Sequence, residues 1–455
     1  MSVVLPKELA YAPSLPSLPE CSSKEVVLSA VNGNSFVAGN LVQWDFPQQG
    51  FLDPASLYLR YRVSLPQVAT NQYFLKKIPV YTLIQKLEVL FGSQVVETIN
   101  DYNVWTNLWS DIQMDVAQRY GSATSLGMTG DVSDYKITLL SQASDGAILK
   151  PENVGTQNIS LSAPLPCILS GAEKLVPLGM MPQVRLQITL ESIANAFGLP
   201  TGANAQLPAS VTFSNMELCY TSVDFGGEVQ EMVKSMGDKI YIKSQSVSAM
   251  GNNVSVASVG TLDLIYNQRL ASVKSLFATF CPITAGVAVA VNGKLDSVDI
   301  TSANGSLVFN IAGVNYPQRE VSTLYNRSSV MTELRKACGA LHADAFFPCI
   351  ARNEFNALDS APPASEVMSF TNNGGAIGTT ATSITNPAKF YFGVNTEKLT
   401  TNGVLLSGIS TQSAPISLRI QLGTATTYGY NVSVFALYDT LLEIEPLMRN
   451  ASVKQ

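Results

Sequence analysis

The sequence predicts an all-β protein made of two tandem β-sandwich or jelly-roll domains, with few short helices and long loops. Three observations carry this. Segments of strict apolar–polar alternation recur along the 455 residues, the period of a strand with one buried face. Gly, Pro and Asn punctuate those segments at short intervals, as turns do. The second half also echoes the first. Val184–Glu191 (VRLQITLE) and Ile416–Gly423 (ISLRIQLG) alternate alike, 232 positions apart. Met216–Thr221 and Val434–Asp439 align Tyr220 with Tyr438, 218 apart, and a strand–turn–helix passage around Gly92 recurs around Gly313, 221 apart. Three matches in the same order, each offset near half the chain, indicate two copies of one β-domain. The length is sufficient for two full cores.

Residues 1–24 contain Pro6, Pro13, Pro16 and Pro19 and little periodicity. They read as an extended arm of the kind that docks on a neighbouring subunit, or else as a frayed terminus. Residues 25–225 form the first domain. Strands are expected at Glu25–Ser29, Leu41–Phe46, Leu57–Leu65 and Leu87–Phe91. In the third of these Leu57, Leu59, Tyr61, Val63 and Leu65 share one face, while Arg60, Arg62 and Ser64 share the other. The period then changes: Trp105, Leu108, Trp109, Ile112 and Val116 recur at helical spacing after an Asn100-Asp101 N-cap. The two tryptophans, one turn apart, read as core anchors rather than a ligand platform. Residues 226–238 lie between glycines and read as a linker.

Residues 239–455 form the second domain. It opens with Lys239–Lys243 and continues through expected strands at Val273–Phe280, Gly305–Ile311, Lys389–Val394, Ser417–Leu422 and Asn431–Leu437. Gly313–Pro317 is read as the end of a strand. Val321, Leu324, Tyr325, Met331, Leu334 and Cys338 then suggest a helical stretch capped by Gly339. Residues 121–160 and 357–388 are Ser/Thr/Gly/Asn-rich with weak periodicity and read as long surface loops, one per domain.

Composition narrows the function. Charged residues are 14% against roughly 25% in an average globular protein, and hydrophobic residues are 46%. Such a neutral, hydrogen-bonding surface suits a protein that buries much of itself against neighbours, although an ordinary sandwich with neutral loops would share it. The net charge is −6 and no run of Lys or Arg exists, which disfavours direct binding of nucleic acid. The N-terminus lacks the pattern of a signal peptide, and the apolar stretch Ile283–Val291 is far too short to span a bilayer, so a soluble chain is expected. The cysteines at 21, 167, 219, 281, 338 and 349 show no Cys-x-x-Cys spacing and read as free, mostly buried thiols.

The chemistry-bearing residues are sparse. His342 is the single histidine, with Asp344 two residues on, and no Gly-x-Ser-x-Gly elbow accompanies it, so it reads as structural. Gly286–Lys294 ends in Gly-Lys, but the spacing and Leu295 are wrong for a phosphate loop. The carboxylate pairs Asp131/Asp134 and Glu443/Glu445 could in principle support glycosidase chemistry, yet both read as solvated. No catalytic, cofactor-binding or metal-binding residue is assigned, and no enzyme activity is expected.

Phe51–Tyr61 (FLDPASLYLRY) enters a strand of the first domain, and Leu165–Gly171 (LPCILSG) leads to Leu175–Gly179 (LVPLG). Asn315–Pro317 (NYP) precedes the second helical stretch, and Val434–Tyr438 (VFALY) lies near the end. With the tandem arrangement, these segments resemble the double jelly-roll major capsid proteins of icosahedral DNA viruses. That lineage includes adenovirus hexon and the capsid proteins of virophages, polinton-like elements and large algal viruses. The resemblance spans most of the chain through loose motifs. It implies two tandem eight-stranded jelly-roll β-sandwiches, and a structural subunit that forms a homotrimer of pseudo-hexagonal outline and tiles an icosahedral shell. It implies outward loops, and an inward arm and C-terminal tail. Its implied partners are further copies of the chain, a pentameric vertex protein and minor capsid proteins. An internal membrane beneath the shell would suit the missing basic arm. The implied location is the virion capsid, assembled inside the host cell. Three rivals predict other features: a single jelly roll with a protrusion, a tandem lectin- or adhesin-like binding module, and a β-sandwich carbohydrate enzyme.

Overall fold

The computed structural model describes residues 21–66, 72–75, 77–127, 139–141, 156–198, 207–235, 237–283, 295–301, 304–323, 327–339, 350–356, 365–368, 382–385, 388–397 and 406–454. Sixteen strands make up two rolls. The first contains β1 (Cys21–Ser29), β2 (Leu41–Asp45), β3 (Tyr58–Pro66), β4 (Ile84–Phe91), β5 (Gln94–Ile99), β6 (Thr156–Pro164), β7 (Val184–Leu190) and β8 (Thr212–Phe225). The second contains β9 (Ile240–Val254), β10 (Thr261–Tyr266), β11 (Val273–Pro282), β12 (Ser306–Ile311), β13 (Val314–Ser322), β14 (Tyr391–Asn395), β15 (Ile416–Gln421) and β16 (Tyr430–Glu445).

In the first roll the sheets run β1-β8-β3-β6 and β2-β7-β4-β5; in the second they run β9-β16-β11-β14 and β10-β15-β12-β13. The order is the same with eight added to every label. First pairs with eighth, second with seventh, third with sixth and fourth with fifth, all antiparallel. This is one long hairpin rolled into two facing sheets, the eight-stranded jelly roll. The echoed segments are structural equivalents: Val184–Leu190 is β7 and Ile416–Gln421 is β15, while Tyr220 and Tyr438 sit in β8 and β16.

Alternation explains which way each strand faces. In β7 every second residue from Val184 is buried, and along Leu57–Leu65 the five apolar residues are buried while Arg60 and Arg62 are exposed. Opposed inward faces then interlock. Phe309 of β12 stacks on Phe392 of β14 at 5.3 Å across the second sandwich. In the first, Phe46 meets Tyr220 at 5.4 Å, and the Trp44 indole N–H donates to the Met216 carbonyl. Burial of this surface is the main stabilising term, at about 25 cal/mol per Å² of apolar area.

Several expectations are corrected. β1 begins at Cys21, inside the segment read as an arm; residues 1–20 lie outside the described part. The passage around Gly92 is a hairpin, β4 to β5, before a helix follows. The passage around Gly313 is likewise a hairpin, so Gly313–Pro317 opens β13 rather than ending a strand. Ala312 at φ 53° and Gly313 at φ 82° both take the left-handed conformation that a two-residue hairpin turn requires. The segment read as a linker carries α2 (Gly227–Ser235), and residues 156–160, read as loop, open β6. Val321 belongs to β13; the helix of that half is α3 (Ser328–Ala337), and Gly339 closes it at φ 68°. The rest of the two long loops lies outside the described residues, apart from Gly121–Gly127, Leu139–Ser141, Thr156–Ser160, the paired strands Ser365–Met368 and Thr382–Thr385, and Ala388.

Candidate assembly site: the seam between the two rolls

The helix expected near Trp105 is α1 (Tyr102–Gln113), and ten of its twelve residues are buried. An amphipathic helix on one domain would bury only a stripe. Here both sides are covered, because α1 is held by its own roll and also lies against the other. On the first-roll side the Asn103 amide donates to Glu191, and the Ile78 N–H donates to Asn107 Oδ1. On the second-roll side Trp105 packs against Phe277 at 5.9 Å and Phe435 at 5.6 Å, and stacks on Trp109 at 5.1 Å. Trp109 in turn meets Phe277 edge-on at 6.3 Å. The tryptophans are core anchors as expected, but of the joint between the rolls. The expected N-cap differs in kind: Asp101 is left-handed, and its backbone carbonyl, not its side chain, accepts from Val104 and Trp105.

A buried polar cluster continues the seam. Lys77 and Asp111 of the first roll face Tyr391, Lys389 and Glu354 of the second. The Tyr391 hydroxyl donates to Asp111 at 2.8 Å and accepts from Lys77 at 3.0 Å; Lys389 lies 3.4 Å from both Asp111 and Glu354. All four charged side chains are at most 4% exposed, and two cations balance two anions. Burial pushes the Tyr391 hydroxyl well above its ordinary value, and burial raises Glu354 although Lys389 opposes it. An ion cluster this dry is tolerable only when every charge is matched.

At the other end Glu97 of β5 is buried against the edge of β9. It accepts from the Ile168 N–H and the Ser246 hydroxyl. Burial pushes its carboxyl up to about 7, with those two hydrogen bonds pulling the other way. The turn Leu165–Gly171 seen in the sequence sits here. Ser244 donates to the Ile168 carbonyl, and the Glu173 N–H donates to the Lys243 carbonyl. Gly171 approaches the Gln245 backbone so closely that an added Cβ would lie 2.5 Å from its carbonyl oxygen. A cavity of about 300 Å³ remains between the rolls, lined by Glu97, Trp105, Trp109, Cys167, Ser246 and Leu437 among others.

Residues 58–195 match the family model described as the major capsid protein N-terminus. Over the whole chain the fold is that of the double jelly-roll major capsid proteins. Its fold is similar to that of VP54 of PBCV-1, fitted into a reconstruction of the virophage Sputnik (TM-score 0.59, 12% identity, 98% of this chain and 99% of that one). It is similar to the Sputnik virophage structure (TM-score 0.57, 11% identity, 100% and 93% covered) and to the Faustovirus major capsid protein (TM-score 0.57, 10% identity, 96% and 92% covered). At such identities the structural likeness is one of fold. No curated protein matches in sequence.

Among the residues weighed for chemistry, His342, Asp131, Asp134, Cys349 and Gly286–Lys294 lie outside the described part. Glu443 is not solvated as expected: it is 4% exposed, ion-paired with Lys239 and Lys454, while Glu445 pairs with Lys239 at 3.0 Å. Hydrogen bonding from Lys239 lowers both carboxyls. Of the described cysteines, 167, 219 and 281 are buried, 338 is partly buried and 21 is exposed. Burial pushes the Cys167 and Cys281 thiols up to about 12. Among the described residues no group of three or more His, Cys, Asp or Glu is placed to hold a metal ion, and no helix is long and apolar enough to cross a membrane. Sequence reading missed Glu97, Asp111, Lys389 and Glu354. No local signal marks them: Tyr391 and Asp111 are 280 positions apart.

Proposed function

We propose that this chain is a viral major capsid protein, three copies of which associate into a capsomer of pseudo-hexagonal outline that tiles an icosahedral shell. The observation that carries the reading is the chain's construction as two rolls of identical strand order joined by a buried seam. Three such pairs make a ring of six similar units closed by threefold rotation, with residues 25–225 and 239–455 as the alternating units. Burial of apolar surface between copies drives trimer formation, and smaller contacts between trimers close the shell. The low charge content limits repulsion among many packed copies. A six-unit ring does not fit a fivefold position, so the vertices take a separate pentameric protein. Minor capsid proteins or an internal membrane lie between shell and genome, which this chain does not bind directly.

Mass photometry of the purified protein tests the reading. A dominant species near three times 48.7 kDa is expected. A pentamer, a 60-subunit particle, or a monomer that persists across salt and pH would overturn it.

A further inference from the structure

The two ends of the seam treat buried charge differently. At one end Asp111 and Glu354 meet their counter-ions, Lys77 and Lys389. At the other end Glu97 is 3% exposed, and the described residues lining the cavity beside it include no Lys, Arg or His. Its carboxyl accepts one hydrogen bond from the Ile168 N–H and one from the Ser246 hydroxyl. A carboxylate can accept about four. A buried carboxyl without a counter-cation costs stability as soon as it ionises. The cavity offers the room for a cation that the wall lacks. At about 300 Å³ it takes an aromatic ring with a short chain, since about 150 Å³ suffices for benzene. Its walls are apolar: Trp105 and Trp109 of α1, Ile99 of β5, Val247 of β9 and Leu437 of β16. The two indoles stack at 5.1 Å, and indole faces attract cations. The exposed residues Ala55 and Pro164 belong to the same lining and mark its opening to solvent.

We propose that this cavity is a binding site for a small arylalkylamine, whose ammonium pairs with the Glu97 carboxylate while its apolar body lies against Trp105, Trp109, Val247 and Leu437. The chemistry of the walls selects that class. An acid would set a like charge beside Glu97, and a neutral molecule would leave the carboxylate without a counter-ion. A polycation would bring further charges against apolar side chains. Glu97 and Trp105 come from the first roll, and Ser246, Val247 and Leu437 from the second, so the bound amine bridges the seam. Pairing requires the ionised carboxylate. Burial pushes the Glu97 carboxyl up to about 7, so the empty site gains its charge as pH rises through that value. Tyr102 of α1, Cys167 of the Leu165–Gly171 turn and Tyr438 of β16 are the titratable groups that face it; β9 presents Gln245 and Ser246. Burial raises all three, so they stay neutral while Glu97 titrates. An alkylammonium keeps its charge over the same range, as lysine does.

The test titrates 2-phenylethylamine into the full chain and follows tryptophan emission, because two of the chain's three tryptophans line the cavity. Saturable binding is expected at about pH 8, weakening about tenfold at about pH 5.5 as the carboxylate takes up its proton. 2-Phenylethanol has the same body without the charge and is expected to bind about tenfold more weakly than the amine at the higher pH. Glu97→Gln is expected to abolish the pH dependence and to bring the amine down to the affinity of the alcohol. Absence of saturable binding by the amine at the higher pH would overturn the proposal. So would equal affinity for amine and alcohol, or a folded Glu97→Gln variant that binds the amine as wild type does. Should that variant misfold, the pH profile and the alcohol comparison on wild type decide. The number of copies in the particle does not enter these readouts, so the outcome is separate from that of the trimer reading.

Discussion

The outer faces of two equivalent sheets, β9-β16-β11 and β1-β8-β3, share a strand order and differ in chemistry. The first carries Phe277 and Phe435 under Trp105; the second carries Arg60 and Glu217 facing solvent. The inward residues differ far less: Leu59 and Leu276 are both buried, as are Tyr220 and Tyr438. A sandwich constrains only the residues that point between its sheets. The outward half of each strand is left to record what lies beside it, α1 on the second roll and solvent at Val27 and Arg60 on the first.

That contrast can be broken most forcefully at its apolar centre. Trp105→Ala should cost about 4 kcal/mol of stability, read as a lower urea midpoint, because it opens a void against two phenylalanines. A loss under about 1 kcal/mol would mean the rolls are not held there. Asp111→Asn is expected to cost about 3 kcal/mol, since Lys77 and Lys389 would keep their buried charges with one anion fewer. Unfolding that becomes two separate transitions in this variant would show that the cluster couples the rolls.

A smaller effect depends on pH. The Glu97 carboxyl is raised from its ordinary 4.5 to about 7 when folded, so the folded state binds this proton more tightly than the unfolded chain. Its favourable contribution is complete below about 4.5 and is lost as pH rises through about 7, a change on the order of 3 kcal/mol at most. Urea midpoints measured between pH 5 and 8 should fall for wild type and stay flat for Glu97→Gln; parallel curves would remove Glu97 as the cause. The smallest effect belongs to the open face. Arg60→Ala should change the stability of the monomer by less than about 1 kcal/mol, because a half-exposed ion pair contributes little. A loss approaching that of Trp105→Ala would erase the distinction between the two faces.

The sequence by itself determined the strands that alternate. Leu57–Leu65, β7 and β15 show their buried faces in their own periodicity, and the offset between Tyr220 and Tyr438 revealed the duplication because equivalent strands need similar inward residues. It also marked Trp105 and Trp109 as anchors. Strands lacking clean alternation escaped, among them β5, β10 and β13. β10 is an edge strand with one buried residue, Tyr266, so little pattern is imposed on it. What only the tertiary structure decided was the seam. Glu97 meeting Ser246, Asp111 meeting Lys389, and Trp105 lying on Phe435 join residues 149, 278 and 330 positions apart. Local periodicity reports burial against something, but not against what. A partner that distant is chosen by the packing of two finished rolls.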